Sequence, residues 1–93
     1  MPLFAIVCRD KPGALETRLA VRPTHLDYLK EAQHLKLAGP LLDDAGDPMG
    51  SILIVEAEDK AAAKAWADND PYALAGVFES VQIDAWRVVI GAV

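Results

Sequence analysis

The chain has a single cysteine, Cys8, which rules out an internal disulfide and any cysteine-rich zinc site. In an apolar run such as Phe4–Cys8 it reads as a small buried hydrophobe. Positive charge is scarce: nine Lys and Arg stand against fourteen Asp and Glu, and none of the nine form a run. Binding to a nucleic acid backbone needs clustered cations, so that partner is excluded. A small anionic ligand, which needs one or two arginines, is not. No apolar run approaches the roughly 20 residues of a membrane span. Arg9 and Asp10 follow the first apolar residues at once, and no basic stretch precedes them, so no secretory leader is expected and the protein is placed in the cytoplasm, away from membranes. His-x-x-His and Cys-x-x-Cys spacings are missing, as are glycine-rich phosphate loops and Gly-x-Ser-x-Gly turns. The expectation is a protein without metal or cofactor.

Apolar residues, in contrast, are abundant, at 53% of 93 residues. One domain, residues 1–93, is the natural unit at this length. So small a globule cannot hide that much apolar surface alone, and self-association is the simplest outlet.

Apolar spacing orders the chain. Leu3 to Arg9 reads as a strand that is apolar on both faces. Ala14 to Lys36 reads as helix, interrupted at Pro23 and stopped by Gly39-Pro40. Leu37 to Asp43 holds a short strand. The turn formers Asp43 to Pro48 then lead into the β-branched strand Gly50 to Ala57. Lys60 to Ala67 is alanine-rich helix, and Val77 to Ile90 is a long last strand. The order β-α-β-β-α-β predicts a ferredoxin-like α+β fold: a four-stranded antiparallel sheet with both helices on one face. The bare face is apolar, which predicts a homodimer packed sheet to sheet.

The stretch Asp68-Asn69-Asp70-Pro71-Tyr72 is richer than a helix-to-strand connection requires. Asp70 is the candidate orienting acid, and His25 on the first helix is the candidate base. Imidazole exchanges protons near neutral pH, and a carboxylate on one ring nitrogen fixes the tautomer and makes the other more basic. Asp68 and Asn69 read as turn residues, and His34 as a solvent-exposed one. Tyr72 can offer a hydroxyl or simply its ring. Arg9, Arg18 and Arg22 are candidates for holding a substrate carboxylate, with Arg22 preferred, and Ser51 is a further substrate contact.

The ordered set Arg18-x-x-x-Arg22-x-x-His25-Leu26, Gly50–Ala57, Ala65-Trp66, Asp68–Tyr72 and Ala75–Phe78 resembles the YciI-like (YCII) family over almost the whole chain. The resemblance implies a dimeric α+β barrel, related in fold to muconolactone isomerase, and a His–Asp pair that maps onto His25 and Asp70. One member of that family is a dehydrochlorinase of a chlorinated hydroquinone. The expected function is therefore a small cofactor-free enzyme. Its His–Asp pair would perform acid–base chemistry, elimination or isomerisation, on a small organic molecule. The alternative is a non-catalytic dimer that binds a small molecule or serves a partner enzyme.

Overall fold

Strand β1, Leu3–Asp10, lies in the interior of the sheet and pairs antiparallel on both sides, in a computed structural model that describes residues 1–93. Its alternate residues Phe4, Ile6 and Cys8 are buried, and its two neighbours set the core in register with them. Ile6 stands opposite Leu53 of β3 (Pro48–Glu56) and opposite Ile83 of β4 (Phe78–Trp86). β2, Leu35–Leu42, closes the other edge, so the strand order is β2-β3-β1-β4, all antiparallel. With α1 (Leu15–Glu31) and α2 (Lys60–Asp68) between the strands, this is the βαββαβ fold expected from the sequence. Leu29 of α1 and Ala63 and Ala67 of α2 pack on the Phe4–Ile6–Cys8 face, so both helices cover one side of the sheet.

Pro23 does not interrupt the first helix. α1 runs unbroken through it, because Pro23 is exposed and so is Leu19, whose carbonyl loses its partner N–H to the proline. The helix ends at Glu31, short of Lys36, and Gly39-Pro40 lies inside a strand. Leu35 pairs with Val55 and packs on the core, which draws the chain into β2. Because β2 is an edge strand, it tolerates a residue without an N–H. At the other end β4 stops at Trp86, not Ile90, since Trp86 pairs with Leu3 at the beginning of β1 and nothing lies beyond to pair with.

The β2–β3 hairpin turns on Asp43, whose carboxylate accepts from the backbone N–H groups of Ala45 and Asp47 (2.9 and 3.0 Å). Gly50 marks the closest approach of β3 to β1: a Cβ there would stand 2.4 Å from the carbonyl oxygen of Cys8.

A short helix absent from the sequence reading, α3 (Pro71–Leu74), follows α2. Asp70 caps it, accepting from Tyr72 N–H at 2.9 Å, and Pro71 occupies its first turn, where a missing N–H costs nothing.

Candidate active site

Helix α1 buries only two residues almost completely, and both are polar: Arg18 and His25. They are seven positions apart and therefore share one face, about 10.5 Å apart along the axis. The face that would ordinarily carry core leucines carries the site instead.

His25 Nδ1 donates to Asp70 Oδ1 at 2.8 Å, and both side chains are buried. The same Asp70 oxygen takes the Tyr72 N–H that starts α3. With Nδ1–H donating to the carboxylate, a neutral imidazole carries its lone pair on Nε2. Nε2 makes no bond within the chain and is not sealed from solvent, and His25 is among the residues that line a cavity. The two residues are 45 positions apart in sequence and meet because α3 packs against α1.

Tyr72 completes the group. Its ring stacks on the His25 imidazole with centroids 3.8 Å apart and planes at 15°, and Arg18 Cζ lies over the same ring at 4.4 Å. Burial pushes the Tyr72 phenol above its ordinary range, with Asp70 adding to the effect and Arg18 and Arg22 opposing it, so the hydroxyl remains a donor.

Arg18 lines the same cavity as His25, with its guanidinium already engaged within the chain. Its carboxylate partner is Asp10 of the same chain, held by Nε (2.7 Å) and Nη2 (3.1 Å), and Nη2 also donates to Ser51 Oγ (2.8 Å). The seven-residue spacing between Arg18 and His25 was the available signal that the two face the same way.

The cavity measures about 410 Å³ and lies between α1 and the β2–β3 hairpin. Arg18, Arg22, His25, Ser51 and Tyr72 supply its polar side. Leu26, Leu29 and Leu53 line it elsewhere, as do Leu19 and Leu42, which are more than half exposed. Thus Arg22, Ser51 and Tyr72 all reach the cavity of His25, and Ser51, which accepts from Arg18, keeps its own proton to donate. Arg9 does not line it. Asp68 pairs with Lys64 on the surface of α2, and Asn69 Nδ2 closes the end of that helix on the Ala65 carbonyl. His34 is partly buried rather than exposed, edge-on to Trp66 with centroids 5.1 Å apart. Trp66 in turn stacks on Tyr28, which donates to the Trp66 carbonyl.

Cys8 lies under this site. Burial, reinforced by Asp70, pushes its thiol up to about 12, against the opposing influence of Arg18. It is a protonated, unreactive thiol at neutral pH.

The cavity has apolar walls and one polar side and is large enough for a small organic molecule. A base at Nε2 with an acid behind it can move a proton to or from that molecule. A family model described as the YCII-related domain matches residues 2–87. Protein YciI of Escherichia coli is 43% identical over 96 residues, spanning 94% of this chain and 98% of its own. An uncharacterised Haemophilus influenzae protein is 40% identical over 95 residues, spanning 92% and 97%. Among solved structures, 5-chloro-2-hydroxyhydroquinone dehydrochlorinase from Burkholderia phenoliruptrix, in complex with 2,5-dihydroxybenzoquinone, superposes with a TM-score of 0.84. It is 34% identical, and the match covers 91% of this chain and 93% of that one. An antibiotic biosynthesis monooxygenase matches at TM-score 0.58 and 14% identity, covering 97% and 100%, and shares the fold alone. No helix is long and apolar enough to cross a membrane. On the extent of these matches, the chain belongs to the YCII-related family.

Proposed function

We propose that this chain is a cofactor-free acid–base enzyme acting on a small oxygenated ring compound by elimination or isomerisation. The observation that carries the reading is the 2.8 Å bond from His25 Nδ1 to Asp70, which leaves Nε2 of this cavity-lining histidine to act as the base. Nε2 takes a proton from the substrate, and Asp70 stabilises the imidazolium that results. In an elimination the electron pair left behind moves through the ring and expels chloride or a comparable leaving group. In an isomerisation the same imidazolium returns the proton at another atom. Tyr72 and Ser51 offer hydroxyl donors to substrate oxygens, and Arg22 offers a charge. The dehydrochlorinase of Burkholderia phenoliruptrix supports a ring substrate with a leaving group.

The working unit in this reading is a homodimer formed through the uncovered face of the sheet. That face leaves Leu37, Ile52 and Trp86 more than two-fifths exposed. Burying them on a second copy removes apolar surface from water.

The test is chloride release from 5-chloro-2-hydroxyhydroquinone and related halogenated hydroquinones, compared with the same compounds in buffer. Turnover that falls by about 10²–10⁴ in His25→Ala is expected from the loss of general acid–base help. A His25→Ala protein that works as fast as the parent would overturn the mechanism. Tight binding of these compounds without turnover would favour the second reading, a ligand-binding protein.

A further inference from the structure

Asp10 and Ser51 together hold the Arg18 guanidinium by two of its nitrogens. A planar group held this way has a fixed plane. Over it, 4.4 Å from Cζ, lies the Tyr72 ring, and against that ring, nearly parallel at 3.8 Å, lies the His25 imidazole. Arg18 and His25 stand two helical turns apart on α1, and both touch the same phenol ring. A ring packed this way cannot tilt without losing contact with one of them. The backbone N–H of the same Tyr72 bonds the Asp70 oxygen that holds His25 Nδ1. The orientation of the imidazole therefore depends on Tyr72 twice, through its ring and through its N–H, and the ring rests on Arg18.

We propose that Arg18 is a positioning residue: it clamps the Tyr72 ring and through that ring sets the plane of His25. A buried arginine locked to an aspartate is costly to maintain unless every partner is in place, and replacing the pair by apolar side chains is often neutral or stabilising. Its place beside the ring that stacks on the imidazole fits a role in geometry better than one in stability. Lysine cannot substitute. Its ammonium is a point charge without a flat face, so it can pair with Asp10 but cannot lie against the ring. The proposal rests on the His25–Asp70 reading only for the use to which the oriented imidazole is put; the clamp itself can be measured without substrate.

The experiment is solution NMR on the parent protein and on Arg18→Lys, Asp10→Asn, Tyr72→Leu and the double variant Arg18→Lys/Tyr72→Leu, each first checked for native circular dichroism. The two readouts are the rate of Tyr72 ring flips and the exchange rate of the His25 Nδ1 proton with water. In the parent both are slow. In Arg18→Lys both rise at least tenfold, with Asp10→Asn changing them in the same direction. The Nδ1 exchange rate in the double variant matches that of Tyr72→Leu alone, since Arg18 has nothing left to act through. If Arg18→Lys fails to fold, Asp10→Asn, which keeps the guanidinium and loosens its hold, carries the test. Unchanged ring flips and proton exchange in the folded variants would overturn the proposal, and so would additive effects in the double variant. A protein that shows the clamp but turns over no substrate would remove the proposed enzymatic role and leave the positioning role standing.

Discussion

Asp70 and His25 share one short hydrogen bond, 2.8 Å from Nδ1 to Oδ1, and the oxygen that accepts it also accepts the N–H that begins α3. One atom therefore serves both local structure and the candidate chemistry. Removing it has two separable consequences.

Asp70→Ala leaves the His25 Nδ1–H and the Tyr72 N–H without their acceptor. An unmet buried donor costs about 1–3 kcal/mol and a lost helix cap about 1 kcal/mol. Urea unfolding is expected to show a loss of a few kcal/mol. Asp70→Asn retains a carbonyl that accepts and so recovers part of the stability, while losing the charge that stabilises an imidazolium. Equal stability losses in the two variants would contradict this assignment.

Gly50→Ala is expected to destabilise although it adds a single methyl group. The new Cβ meets the Cys8 carbonyl at 2.4 Å, backbone against backbone, where no side chain can move aside. Overpacking of this kind costs about 1–3 kcal/mol. Because Ser51 is the next residue and accepts from Arg18, the shift of β3 reaches the site as well. Thermal unfolding reads the first effect. A melting temperature equal to that of the parent would show that the two strands separate without penalty.

Cys8 makes the fold sensitive to alkali. Its thiol is raised to about 12 from an ordinary value of 9.0. Above pH 9 an unfolded chain releases this proton and the folded chain keeps it, so the unfolded state is favoured increasingly as pH rises toward 12. Below pH 9 both states hold the proton and the contribution is intact. Tyr72 and Tyr28, both raised chiefly by burial, add the same tendency above pH 10. Between pH 9 and 10 the decline in stability is expected to belong mainly to Cys8. Cys8→Ala should flatten it, whatever it does to stability at pH 7. Denaturant unfolding across that range measures the slope, and an unchanged slope in Cys8→Ala would refute the attribution.

The proposed dimer puts Ile52 and Trp86 on the uncovered face of the sheet, each 41% exposed in the single chain. Ile52→Lys combined with Trp86→Lys is expected to yield a monomer in sedimentation velocity at concentrations where the parent is dimeric. A parent protein that sediments as a monomer would sink the idea directly.

Sequence alone decided the architecture. Strand β1 alternates around Phe4, Ile6 and Cys8, β3 is continuous and β-branched, and the alanines of α2 have little choice but helix. These are local preferences, and they are legible because periodicity is a local property. His25 and Asp70 were legible as a pair from residue chemistry and from family resemblance, and the bond between them follows from the packing of α3 on α1. What local pattern misjudged was decided by partners distant in the chain. Pro23 stays helical because it is exposed, Gly39-Pro40 is strand because β3 lies beside it, and β4 stops where β1 begins. Arg18 is the clearest case. Its seven-residue spacing from His25 places it on the same helix face, but nothing in a one-dimensional pattern names its partners. Only the fold brings Asp10, Ser51 and Tyr72 around one guanidinium, because contact between residues 8, 33 and 54 positions away is set by packing and not by spacing.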